Sequence, residues 1–270
     1  MADAATIKSL EQRAAALRRH ILAPASTYFA HLGGAMSCAD IMAALFFHFL
    51  RLEDGAKKRD RFLMSKGHAV TALHACLVEL GTLDAAELPL SGQSGSRLAG
   101  HPTMKAPGVE FATGSLGHAL SVGVGIAMAE QLNGSGSRTV VLLGDGELQE
   151  GTVWEAALSA PRFGLEPLLA IVDYNRMQAA GRVDDVVPLD PLADKWRAFR
   201  WNVLEIDGHN MGAIVGALER LPAASGPTVL IANTVKGKGV PSVEGTTRAH
   251  YTMLTDDEVQ QALASLENAS

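Results

Sequence analysis

Four short runs of β-branched and aliphatic residues, separated by segments of helical length and pattern, predict a doubly wound α/β domain with a mostly parallel sheet and helices on both faces. The runs are Thr139 to Leu143, Leu168 to Val172, Asn202 to Ile206 and Thr228 to Ala232. Composition agrees: 270 residues, 47% hydrophobic and 19% charged, are an ordinary globular mixture that suits one large domain, residues 1–270, better than two small ones. No internal repeat, low-complexity tract or linker interrupts the chain. In sheets of this class ligands bind beyond the C-terminal ends of the strands, so residues just after those runs are the first candidates for function.

The elements follow in order. Ile7, Leu10, Ala14, Leu17 and Ile21 recur at three- and four-residue steps and form the apolar stripe of a first helix, with Pro24 just beyond its end. A short loop carries Ala30-His31-Leu32-Gly33-Gly34. The next helix is expected to start at Ser37, with Asp40 in a capping-box position, and another to follow Ser65-Lys66-Gly67-His68. Residues 91–114 are rich in Gly, Ser and Pro and read as a long ordered loop, a feature that is usually functional in compact domains. Leu116 to Leu132 has helical length but includes Gly117, Gly123 and Gly125. Each glycine disfavours a helix by roughly 1 kcal/mol against alanine, so close packing within the domain or against a cofactor or neighbour should compensate. Glu258 to Ser270 reads as a final helix that frays.

With 23 basic and 29 acidic residues, the net charge of −6 leaves no electrostatic footprint for nucleic acid or anionic lipid. The longest apolar run, Ala39 to Leu50, is broken by Asp40 and His48 and is too short to span a bilayer. The N-terminus has no signal-peptide core, and the expected location is the cytoplasm. Cys38 and Cys76 lie in apolar stretches and read as buried core thiols rather than a disulfide or metal pair.

The strongest chemical signal is Gly144-Asp145-Gly146-Glu147 at the end of the first run, paired with Asp173-Tyr174-Asn175 at the end of the next. A Gly-Asp-Gly alone is more often a plain turn. Here it stands about 30 residues before Asn175, the span of one βαβ unit. Glycines at a strand end let a backbone approach a diphosphate closely. An Asp carboxylate and an Asn amide oxygen at adjacent strand ends can face one hard cation such as magnesium, which shares its oxygen shell with phosphates.

This pairing resembles the thiamine diphosphate fingerprint, and the chain from His31 to His250 is similar to the N-terminal domain of transketolases, most closely the split form made of two polypeptides. The motifs agree in order: His31-Leu32-Gly33-Gly34, Ser65-Lys66-Gly67-His68, Gly100-His101-Pro102, Thr113-Gly114-Ser115-Leu116-Gly117, Gly144 through Gly151, and Asp173-Tyr174-Asn175. The resemblance implies that Asp145, Asn175 and the Met177 carbonyl hold magnesium, and that Gly144, Gly146 and Glu147 lie along the diphosphate. Gly114, Ser115 and Leu116 would touch the thiazolium and diphosphate. His68 and His250 would stand near the diphosphate and reacting centre, and His31 and His101 near sugar hydroxyls. Glu150 would meet the other half of the active site. Three positions depart from the family pattern: Ala249 and Tyr251 flank His250 where Trp and Gly are usual, and His118 replaces a frequent Gln, as is common in split relatives.

Of nine histidines, His20, His48 and His74 read as surface or satisfied core residues and His209 as a turn residue, whereas His31, His68 and His101 each lie in or beside a Gly-rich loop. The implied activity is transfer of a two-carbon ketol unit from a ketose phosphate to an aldose. In the family a Glu that activates the cofactor, and most of the grip on the acceptor phosphate, come from a pyrimidine-binding domain absent here. The resemblance therefore implies a partner subunit carrying that domain, in a heterotetramer. Alternatives are a superfamily relative acting on pyruvate or a 2-oxo acid, an unusual sugar phosphate or sulfosugar as substrate, and a non-catalytic cofactor-binding module.

Overall fold

The computed structural model describes residues 2–53, 58–221 and 225–268. Its centre is a five-stranded, wholly parallel sheet of β1 (Arg61–Met64), β2 (Thr139–Gly144), β3 (Leu168–Tyr174), β6 (Asn202–Asp207) and β7 (Thr228–Asn233), in the order β1-β2-β3-β7-β6. A two-residue antiparallel pair, β4 (Met177–Gln178) and β5 (Gly181–Arg182), stands apart. Among the described residues ten α-helices accompany them: α1 (Ala4–Leu22), α2 (Leu32–Ser37), α3 (Ala39–Ala44), α4 (Val70–Glu79), α5 (His118–Leu132), α6 (Gly151–Ser159), α7 (Val183–Val186), α8 (Leu192–Ala198), α9 (Met211–Leu218) and α10 (Asp256–Asn268).

Strand periodicity divides the core in two. Val140, Leu142, Leu169, Ile171 and Leu230 face one layer, built from α1 through α4, α9 and α10. Val141, Leu143, Leu168, Ala170, Val172 and Ile231 face the other, built from α5, α6 and α8. Successive side chains of a strand point to opposite faces, so the runs buried on both sides, β2, β3 and β7, are almost wholly apolar, whereas the edge strand β6 has no buried residue.

Several local expectations are met. Leu10, Ala14, Leu17 and Ile21 are buried along α1, whose N-cap Asp3 accepts from the Thr6 amide at 2.8 Å. Residues 91–114 contain no helix or strand after the first turn, and Leu98, Ala106 and Val109 anchor them in the core. The final helix is present, although positions 269–270 of its expected span lie outside the described residues. Cys38 and Cys76 are fully buried, and burial pushes the Cys38 thiol up to about 12.

Other expectations are corrected. The second helix starts at Leu32, not Ser37, and is interrupted at Cys38. Asp40 is no cap: its carboxylate receives both Arg18 Nη atoms, at 2.9 and 2.6 Å, and faces His209 Nδ1 at 2.7 Å. Ser37 Oγ donates to Asp173 at 2.6 Å. Tertiary partners thus take the polar groups that looked like local capping signals. Strand β1 was not expected, being four residues long and opening on Arg61 at the sheet edge. His20 bonds Glu79 and His48 bonds Glu219, but buried His74 has no hydrogen-bond partner on either ring nitrogen and is not a satisfied core residue.

Candidate active site

All the motif residues gather at one end of the sheet. Lys66 follows β1, Asp145 ends β2, Asn175 follows β3, His209 follows β6 and Lys236 follows β7. The helical and loop motifs close over this edge. Gly33 permits the closest approach: a Cβ there would lie 2.7 Å from the Ala249 Cβ and carbonyl oxygen. That contact brings His31, at the N-cap of α2, against His250 at the end of the 3₁₀ turn Thr247–Ala249.

Four imidazoles form one cluster. The His31 ring centroid lies 5.4 Å from His68, 5.8 Å from His101 and 5.3 Å from His250, and His68 lies 5.7 Å from His250. Burial, followed by the neighbouring His101 and Lys236, lowers the pKa of His31 to about 4. Burial, then Lys236 and His31, takes His250 to about 4, and burial beside Lys66 drives His68 well below its ordinary value. These three rings are therefore neutral at physiological pH, each able to donate at one nitrogen and accept at the other. His118, the first residue of α5, is exposed and outside the cluster.

Beside the imidazoles lie the oxygens expected to hold a cation. Asp145 Oδ1 accepts from the Gly146 amide at 2.7 Å, and Oδ2 from the Arg176 amide, which joins the β2 and β3 turns. Asn175 Oδ1 accepts from Met177 N at 3.1 Å, and the Met177 carbonyl accepts from Lys236 Nζ at 2.8 Å. Burial and the nearby Asp173 carboxylate push Asp145 up to about 6, against the Gly146 hydrogen bond and the Lys236 and Lys66 charges. Among the described residues no group of three or more His, Cys, Asp or Glu side chains could hold a metal. The candidate set is instead one carboxylate, one amide oxygen and one backbone carbonyl, an all-oxygen set that suits magnesium sharing phosphate ligands. A buried carboxylate raised by a like charge is a group that a divalent cation would stabilise.

Gly114 and Gly144 leave room for a phosphate, whereas Gly146 is closely packed. A Cβ on Gly114 would come nearest to His101, at 3.6 Å, and one on Gly144 would meet only the Lys66 side chain, also at 3.6 Å. A Cβ on Gly146 would lie 2.9 Å from Gln178 Oε1. Ser115 is exposed and Leu116 half-buried on the same loop.

Glu147, expected along the diphosphate, also has a structural task. Its carboxylate is buried and already bonded: to Ser65 Oγ and, at 2.8 and 3.1 Å, to the Gly117 and Gly144 amides. It ties three motif loops together. Asp173 does the same from the other side. Fully buried, it receives Lys66 Nζ, Ser37 Oγ, Thr234 Oγ1 and Asn175 Nδ2. Lys66 also donates to the Gly34 carbonyl at 2.8 Å. Lys236, pushed down to about 8 by burial and by Lys66, approaches His250 Nδ1 at 3.2 Å. His209 is more than a turn residue, since its Nε2 accepts from the Val235 amide at 2.8 Å while Nδ1 faces Asp40. Sequence reasoning quoted Asp173 only as part of a motif, read His209 as a turn residue and gave Lys236 no role. The available signal was their position: each directly follows or ends a parallel strand, or lies within a few residues of its end.

Fold and site together define an α/β domain that presents a cluster of buried oxygens, small-residue loops and imidazoles at the carboxyl edge of its sheet. The family described as transketolase, thiamine diphosphate binding domain, matches residues 23–267, and the chain belongs to it. An apulose-4-phosphate transketolase subunit of Phocaeicola vulgatus is 42% identical over 237 residues, covering 86% of this chain and 84% of that one. The 6-deoxy-6-sulfo-D-fructose transketolase subunit SqwG of a Clostridium species is 40% identical over 242 residues, 88% of each chain. Among solved structures, a Pichia stipitis transketolase in complex with sedoheptulose 7-phosphate superposes with a TM-score of 0.89 at 29% identity, covering 96% of this chain. This chain spans 41% of that transketolase and 43% of the one from Campylobacter jejuni.

Proposed function

We propose that this chain is the diphosphate- and magnesium-holding subunit of a two-chain transketolase in the cytoplasm, paired in a heterotetramer with a second polypeptide that supplies the pyrimidine-binding domain. The observation that carries the reading is the four-imidazole cluster set beside Asp145, Asn175 and Met177, in a chain whose near-full-length relatives are named as transketolase subunits. Among the described residues no helix is long and apolar enough to cross a membrane.

Asp145, Asn175 Oδ1 and the Met177 carbonyl would hold magnesium, and the backbone at Gly114, Ser115, Leu116, Gly144 and Gly146 would lie along the diphosphate. Thiamine diphosphate, when bound, supplies the nucleophilic carbon and electron sink for cleavage next to a ketose carbonyl. Overall, the bond between C2 and C3 of the ketose phosphate breaks, the proton of the C3 hydroxyl departs, and an aldose two carbons shorter leaves. The two-carbon unit then bonds to the aldehyde carbon of the acceptor, whose oxygen takes a proton. His31 and His101 would orient sugar hydroxyls. His68 and His250, held neutral, can take and return the proton without first losing one to solvent.

The names of the relatives favour an unusual sugar phosphate or a sulfosugar over a common pentose phosphate as physiological substrate. With the partner present, xylulose 5-phosphate and ribose 5-phosphate test the reaction class, and glyceraldehyde 3-phosphate should appear. Release of carbon dioxide from pyruvate instead, with no aldose formed from any ketose phosphate, would contradict the reading.

A further inference from the structure

Beside the imidazole cluster lies an aromatic pair that no part of the cation or diphosphate site uses. Ala30 and Thr252 form an isolated antiparallel bridge, each amide donating to the other's carbonyl at 3.0 Å. In such a bridge the next residues, His31 and Tyr251, stand opposite each other in a pair whose side chains come close. The Tyr251 ring centroid is accordingly 4.8 Å from His31, and it stacks on Phe29 at 5.6 Å with 28° between planes. Both aromatics stay open, Tyr251 at 51% and Phe29 at 48% exposure. Tyr28, next in the chain, packs under the loop bearing His101: a Cβ on Gly100 would lie 2.7 Å from its hydroxyl. The site's cations, Lys66 and Lys236, are buried, and Lys236 Nζ meets His250 Nδ1 at 3.2 Å.

Resting on the reading of the chain as a transketolase subunit, we infer that Tyr251, backed by Phe29, is a specificity-determining shelf that receives the carbon chain of the sugar as it lies across His31. A π face beside hydroxyl-binding imidazoles favours a substrate whose carbons present C–H surface, as branched or deoxygenated sugars do. The pair recognises carbon skeleton, while the imidazoles recognise hydroxyls.

The test uses the assembled complex with D-glyceraldehyde and propanal as acceptors, which share a carbon chain and differ in their hydroxyls, and the ketose phosphate that supports transfer as donor. Tyr251→Gly should lower kcat/KM for propanal relative to glyceraldehyde by about five- to tenfold, in the range of small apolar contacts. Tyr251→Phe should restore the ratio. An unchanged ratio in Tyr251→Gly, with transfer intact, overturns the shelf alone. Loss of complex assembly in Tyr251→Gly, read by sedimentation, assigns the face to the partner chain and overturns it too. Absence of transfer in the unsubstituted complex removes the enzymatic reading, and the shelf with it.

Discussion

At the scale of single residues, the site is an arrangement of charges that burial alone would not tolerate. Asp145 is the clearest case, a buried carboxylate raised by burial and by the neighbouring Asp173, which on the proposed reading is balanced by a divalent cation. Asp145→Ala should weaken magnesium-dependent binding of thiamine diphosphate by about a hundredfold or more, without lowering the Tm, in a calorimetric titration paired with a melting curve. Cofactor affinity unchanged by the substitution would remove Asp145 from the metal set. Asp40 illustrates the opposite balance. Burial raises its pKa, but hydrogen bonds from His209 and the Arg18 guanidinium outweigh that and hold it at about 2. A depressed carboxylate stabilises the fold fully above its unfolded pKa near 4 and loses that contribution as pH falls toward 2, on the order of 2 kcal/mol. The Tm gap between the native chain and Asp40→Asn should therefore be wide at pH 7 and narrow steadily from about pH 4 to pH 2. A gap independent of pH would show that the carboxylate charge does not matter.

At the scale of elements, α5 resolves its glycines unequally. A Cβ on Gly123 would lie 2.6 Å from Val141 Cγ2, so this glycine lets the helix settle on β2. Gly125 is exposed and a Cβ there would meet nothing within 4 Å. Gly125→Ala should stabilise the isolated chain by up to about 1 kcal/mol, a rise of about 2–3 °C in Tm, whereas Gly123→Ala should lower it through overpacking. The strands were legible because β2, β3 and β7 are buried on both faces and contain little but β-branched and aliphatic residues. Strand β1 was not, because Arg61 opens it and Asp60, just before it, is buried between Arg51 and Arg138 rather than solvated. The start of α2 was misplaced for a related reason: Ser37 and Asp40 carry a capping pattern, but their partners come from β3, α1 and the turn after β6. Local pattern cannot show a contact made across 136 or 169 residues of chain.

At the scale of the whole molecule, what the sequence made visible was the ring of motifs, since histidines in glycine-rich loops are conspicuous. What it hid was the buried scaffold joining them. Asp173, Lys66 and Glu147 are charged residues, which by default belong to solvent, and only the fold shows that they pair across loops distant in sequence. Asp173→Ala should strand Lys66 as an unpaired buried cation and cost about 3–5 kcal/mol, visible as a large loss of Tm, while Lys66→Met combined with Asp173→Leu should recover part of it. On the proposed reading the assembled edge holds the groups for a cation, a diphosphate and a sugar, and the chain is one half of an active site. The most direct measurement is two-carbon transfer from xylulose 5-phosphate to ribose 5-phosphate, with magnesium and thiamine diphosphate, by the purified chain alone and by the chain with its partner isolated from native cells. Transfer only in the mixture is the predicted result. Transfer by the chain alone at the rate of the mixture would contradict it.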